Sequence, residues 1–303
     1  MKYLRNALVP LMLVPLFVAS EGRANEENEI DATNYIPPPE YVQALATDGD
    51  PDAQLSLGVM YYNGERVPQD YEEAARWFRM AAAHGNIHAQ YNLGIMYENG
   101  AISEDTSEAL RWFRKAAEQG YSLAQTKLGI MYANGIGVPQ DYTEAARWHQ
   151  LAADQGGAFS QFSLGVMHAH GEGMLQDYAE AAKWYRLAAE QGYKYAQTNL
   201  GIMYDIGQGL AQDYTEAARW YGLAATQGEA TAQYNFATMY TSGRGVLQDY
   251  VTAHMWFNIA AANGKDNATD ARDDVAEFLS SSDISEAQRR ARTCMESNYE
   301  ECG

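Results

Sequence analysis

The sequence predicts an all-α fold: a solenoid of six helix-turn-helix repeats, with capping helices at both ends. Three observations predict it. All six tryptophans fall on one ladder, Trp77, Trp112, Trp148, Trp184, Trp220 and Trp256, with spacings of 35, 36, 36, 36 and 36 residues. A second ladder runs through Gly58, Gly94, Gly129, Gly165 and Gly201 and is completed by Ala237. The third is Gln54, Gln90, Gln125, Gln161, Gln197 and Gln233, each preceded by Ala. A fixed period of this length marks stacked supersecondary units, none of which buries both its faces alone.

Taken in chain order, residues 1–24 read as a signal peptide. Lys2 and Arg5 precede an apolar run from Ala7 to Ala19, and Gly22 and Ala24 supply small residues for cleavage. The run is shorter than the ~20 apolar residues a spanning helix needs. Residues 25–38 form an acidic, proline-rich leader. The six repeats and an N-terminal cap helix over Glu40–Thr47 then occupy 39–264. A C-terminal capping pair fills 265–303, read as Ala268–Leu279 and Ser285–Glu296, the second opened by a Ser285/Gln288 capping box.

Within each repeat two helices are legible. In the first, Ala53, Leu57, Met60 and Tyr61 form a 3.6-period apolar stripe that stops at Gly64. Asp70 then opens the second helix, with Glu73 completing a capping box; Asp105/Glu108, Asp141/Glu144, Asp177/Glu180 and Asp213/Glu216 repeat the pair. Ala74, Trp77, Phe78, Ala81 and Ala82 face inward before Gly85, and Gly120, Gly156, Gly192, Gly228 and Gly264 end the other second helices.

The blocks AQYNLGIMYENG at 89–100 and DYTEAARWYGLAATQG at 213–228 carry a resemblance to the Sel1-like repeat family, in register over roughly residues 50–264. The family is similar to tetratricopeptide repeats but has longer connections. The resemblance implies a right-handed α/α solenoid of six Sel1-like helix-turn-helix repeats. It also implies a non-enzymatic, exported scaffold or adaptor that takes part in envelope signalling, complex assembly or host contact. The alternative is a peptidoglycan- or β-lactam-binding or hydrolysing protein, as linked to cysteine-rich relatives; here the repeats hold no cysteine.

Composition narrows the classes. The chain is 47% hydrophobic and 20% charged, so it has the apolar surface to fold. With 40 Asp+Glu against 21 Lys+Arg it carries a formal charge of -19, which repels phosphate backbones and anionic lipid. No nucleic-acid partner, cofactor or membrane insertion after signal cleavage is expected. The G-x-G pairs, such as Gly135/Gly137 and Gly207/Gly209, recur at one repeat position and read as interhelical turns rather than nucleotide loops. No catalytic motif stands out, so no enzyme activity is expected.

His149 stands where other repeats have Phe or Tyr, and His168 where others have Tyr, with His170 beside it. They read as replacements for aromatic rings that keep one hydrogen bond, so no metal site is expected; the alternative is a zinc site built from all three. The binding surface is expected on the concave face lined by first helices. Its candidate residues are Leu55, Tyr62, Tyr91, Asn92, Lys127, Phe162, Asn199, Tyr234 and Asn235, whose columns vary while the packing ladders stay constant. Amides and rings suit an extended peptide or a partner protein. Cys294 and Cys302 form an even pair in a chain that reads as exported to the periplasm or secreted. They are expected to pair as a disulfide, with the helix ending at Ser297–Asn298 to bring them together; the alternative is two free thiols.

Overall fold

In a computed structural model, residues 38–302 are described; the signal peptide expected over 1–24 and all but the last residue of the leader expected over 25–38 lie outside them. The described residues hold fifteen α-helices and no strand. They form two compact units that divide after Ser103.

The first unit comprises α1 (Pro39–Thr47), α2 (Pro51–Asn63), α3 (Tyr71–Ala83) and α4 (Ile87–Glu98). Val42 and Ala46 of α1 pack with Ala53, Leu57 and Trp77, so the lone helix covers the apolar end of the first repeat. The second unit begins with α5 (Thr106–Glu118), α6 (Ser122–Asn134), α7 (Tyr142–Asp154), α8 (Ala158–His170) and α9 (Tyr178–Glu190). It continues with α10 (Lys194–Ile206), α11 (Tyr214–Ala225), α12 (Ala230–Ser242) and α13 (Tyr250–Ala262), and ends with α14 (Ala268–Ala276) and α15 (Ser281–Glu296).

The ladders have direct physical causes. A Cβ added at Gly165 would lie 2.5 Å from the Tyr185 ring, and one at Gly129 would lie 2.6 Å from the His149 ring. The glycine ladder is therefore the flat bed on which the aromatic of the second helix rests. The second glycine of each G-x-G has another role. Gly137 takes φ 69°, and a Cβ there would lie 2.5 Å from the Thr106 carbonyl oxygen at the start of the preceding second helix. Positive φ and a close backbone approach together exclude a side chain, which is the structural turn the sequence suggested.

The glutamine ladder joins repeats. The amide of Gln197 donates to the Ala189 carbonyl at 3.1 Å, and its oxygen accepts from Gln227 Nε2 at 2.8 Å. Gln125 with Gln155, and Gln161 with Gln191, do the same. Burying an amide costs several kcal/mol unless it is bonded, so a donor and an acceptor per repeat make the ladder affordable in the core. In the first repeat His84 stands at the position of Gln155, and Gln54 Oε1 has no partner among the described residues.

Two expected caps differ in detail. Asp70, Asp141, Asp177 and Asp213 each accept from the backbone N–H three residues on, as an N-cap does. Only that half of the capping box forms. The N–H of Asp141 donates instead to the Tyr132 carbonyl at 3.0 Å, and that of Asp213 to Tyr204 at 3.0 Å. The glutamates are thereby released to pair along their own helices, Glu73 with Arg76 at 2.9 Å and Glu216 with Arg219 at 3.2 Å.

At the far end, α15 begins four residues before Ser285. Its complete capping box is Ser280/Asp283, not Ser285/Gln288. Ser285 is already helical, and its hydroxyl donates to the Ser281 carbonyl at 2.9 Å. Cys294 and Cys302 are joined by a disulfide with their Cα atoms 4.4 Å apart. The helix ends at Glu296, and Asn298 and Tyr299 at φ 53° and 72° reverse the chain. Tyr299 packs beside Gly228, and its hydroxyl accepts from Asn263 Nδ2 at 2.8 Å. The same Asn263 amide bonds Gln233 Oε1 at 2.9 Å, so the stapled tail terminates the glutamine ladder.

Candidate functional site

The first-helix face divides the candidate residues into packed and accessible ones. Leu55 (8% exposed) and Tyr91 (9%) are buried, although Phe162 and Tyr234 share their repeat position. Tyr62, Asn92, Lys127, Phe162, Asn199, Tyr234 and Asn235 are half-buried. Tyr62 stacks obliquely on Tyr71 at 5.2 Å, and its hydroxyl accepts from Asn99 at 3.0 Å. The Lys127 ammonium lies 5.8 Å from the Phe113 ring centre, and Lys265 lies 5.8 Å from Tyr234. Tyr234 meets Phe257 edge-on at 5.2 Å.

The amide column also contacts the layer beneath it. Asn199 bonds the Tyr185 hydroxyl and Asn235 the Tyr221 hydroxyl. Burial pushes Tyr185 up to about 12 and raises Tyr221 as well, so both hydroxyls stay neutral. Each asparagine keeps further donors and an acceptor for a ligand.

The structure also gathers rings that lie outside the candidate positions. Phe162 on α8 lies 5.1 Å from Tyr193 and 6.3 Å from Tyr195, and those two tyrosines are 5.6 Å apart. Phe159 joins at the edge, 6.3 Å from Tyr193. Contact runs from residue i in one first helix to i+31 at the start of the next. Comparing positions a full period apart does not reveal it.

The three histidines are not brought together. His149 is buried and its Nδ1 lies 3.3 Å from Ser160 Oγ; His170 Nδ1 lies 2.9 Å from the Val166 carbonyl at the surface. Burial lowers the His149 pKa to about 4. Among the described residues no group of three His, Cys, Asp or Glu side chains is placed to hold a metal. Nor is any described helix long and apolar enough to cross a membrane.

Constant packing ladders beneath a variable first-helix face define a class, the helical-repeat solenoids. Six consecutive segments, 51–86, 87–121, 122–157, 158–193, 194–229 and 230–265, match the Sel1 repeat model. The chain belongs to the Sel1 repeat family. A Sel1 repeat protein from Oxalobacter formigenes is 32% identical, with 73% of this chain and 91% of that one covered and a TM-score of 0.62. A protective antigen of uropathogenic Escherichia coli displaying an SLR fold is 25% identical over 86% of this chain and 80% of that one, at a TM-score of 0.48. An immunity protein from Pseudomonas aeruginosa is 20% identical over 78% and 85%, at 0.43. No curated protein matches the sequence. Sel1 repeat proteins are generally protein-interaction scaffolds. Nothing in these comparisons supports the peptidoglycan or β-lactam alternative.

Proposed function

We propose that this chain is an exported, non-enzymatic adaptor that binds a peptide segment or partner protein along its first-helix face. One observation carries the reading. The residues that pack repeat on repeat are nearly identical in every copy, whereas two first-helix columns vary: Leu55, Tyr91, Thr126, Phe162, Thr198 and Tyr234 in one, and in the other Ser56, Lys127 and Ser163 beside the asparagines Asn92, Asn199 and Asn235. Packing alone would not require that variety, and a surface that recognises one partner would. Export to the periplasm or beyond is supported by the signal-like start of the sequence and by the Cys294–Cys302 disulfide, which suits an oxidising compartment.

The test is a pull-down from envelope extract, followed by affinity measurement for the protein recovered. Lys127→Glu should weaken that protein's binding about tenfold while the thermal melt stays near wild type. Asn199→Ala with Asn235→Ala should weaken it similarly but also lower the melt, because the buried Tyr185 and Tyr221 hydroxyls lose their partners. Undiminished binding by both variants, or substrate turnover by the pure chain, would overturn the reading.

A further inference from the structure

The ring cluster of Phe162, Tyr193 and Tyr195 is not demanded by the fold. One repeat further on, the same three positions hold Thr198, Glu229 and Thr231, and there Thr198 Oγ1 donates to Glu229 Oε2 at 3.0 Å. The same backbone is therefore satisfied by a small polar pair. Phe162 and Tyr193 are half-buried and rest with one side on the core, Phe162 5.8 Å from Tyr185, so the apolar area the cluster offers is their outer side together with Tyr195, which is 47% exposed.

The surrounding charges say what covers it. Elsewhere the chain lays its own cations over its rings: Arg76 over Trp77 at 4.7 Å, Arg147 over Trp148 at 5.1 Å, Arg219 over Trp220 at 4.5 Å and Arg186 over Tyr204 at 5.8 Å. Among the described residues, no cation of the chain lies over Phe159, Phe162 or Tyr193. Lys194 donates to the Gln227 carbonyl at 3.3 Å and covers only the third ring, Tyr195, at 5.6 Å, which leaves Phe162 and Tyr193 without a cation of their own. Exposed carboxylates stand at the ends of the second helices leading into these rings, Asp154 before Phe159 and Glu190 before Tyr193. Burial, with the neighbouring Tyr195 adding to it, pushes Tyr193 up to about 12, so its hydroxyl remains a neutral donor.

We propose that the Phe162–Tyr193–Tyr195 surface, with Phe159 at its edge, binds an extended, arginine-bearing segment of a partner protein. This rests on the first-helix face being the binding surface and names the chemistry of its occupant. A guanidinium is planar, stacks on ring faces and pairs with carboxylates through two parallel bonds, so it suits rings that follow the exposed Asp154 and Glu190 closely in the chain better than an ammonium does. The formal charge of -19 draws such a segment in, and the rings set where it docks.

The probe is a synthetic peptide of alternating arginine and proline, titrated calorimetrically into the full chain, beside its citrulline counterpart. The decisive variant is the triple exchange Phe162→Thr, Tyr193→Glu and Tyr195→Thr, which installs the residues of the next repeat. It adds a negative charge, so binding by bulk charge alone would tighten. The expected result is a loss of about tenfold or more for the triple variant and for the citrulline peptide. Asp154→Asn with Glu190→Gln should lose several-fold. Equal or tighter binding by the triple variant, or equal binding of citrulline, overturns the proposal. Should the triple variant fail to fold, Tyr195→Thr alone, on an exposed ring, is read the same way.

The two proposals fail separately. If Lys127→Glu loses the recovered partner while the triple exchange keeps it, the ring assignment falls and the face stands. If the rings bind arginine but Lys127 and the asparagines prove dispensable for the partner, the wider face falls.

Discussion

Two registers of the second unit place the same backbone under different chemistry. Where α8 meets the start of α10, Phe162, Tyr193 and Tyr195 form a ring cluster; where α10 meets the start of α12, Thr198 and Glu229 hydrogen-bond instead. Beneath both, the packing is unchanged. Tyr185 rests on Gly165 and Tyr221 on Gly201, and Gln191 bonds Gln161 as Gln227 bonds Gln197. The layer between helices is thus held constant by close approach and buried amides. The layer above it is free to vary, and this freedom makes a repeat array a binding surface.

The comparison breaks most readily from below. Trp220→Ala removes a buried ring that Arg219 covers, and it should cost about 3–5 kcal/mol in denaturant unfolding. A cost near zero would mean that the ladder does not carry the fold.

The next effect is pH-dependent. His149 fills an aromatic site, and burial holds its folded pKa at about 4, below its ordinary 6.5. The unfolded chain therefore takes up the proton first. Stability is full above pH 6.5 and is lost as pH falls toward 4, by about 3 kcal/mol at most. His149→Phe, the residue found at Phe78 and Phe113, should flatten the midpoint between those pH values. A slope that survives the exchange would place the titration elsewhere, as at His254, which burial also lowers.

Smaller still is the terminal staple. Cys302→Ser should cost about 2–3 kcal/mol on the chain-entropy model. The loss should be local, seen as faster amide exchange at Tyr299 and around Asn263 with the earlier repeats unchanged. Uniform loss across the second unit would show that the tail governs more than the last repeat.

Much of this was legible in the sequence, and the misses have physical causes. The ladders announced repeat number, helix pairing and the role of G-x-G, because each depends on one residue type at one position. The disulfide was legible as far as the helix break at Ser297–Asn298. The capping boxes were half right because Glu73 and its equivalents found a cation one turn on, and the Asp141 N–H found a carbonyl from the first helix. Leu55 and Tyr91 looked like surface positions because a helical stripe does not reveal how deeply a neighbour packs. Phe159, Tyr193 and Tyr195 went unnoticed because their contacts cross the turn between repeats.

The triple exchange at Phe162, Tyr193 and Tyr195 should have the smallest effect on stability, and its denaturant midpoint tests the central claim most directly. If the ladders carry the fold and the first-helix face is left for binding, the variant should unfold within about 1 kcal/mol of wild type, because the polar pair that replaces the half-buried rings is the one the next repeat already uses on the same backbone. A loss of about 3 kcal/mol or more, comparable with Trp220→Ala, would show that the rings belong to the core and would contradict the account.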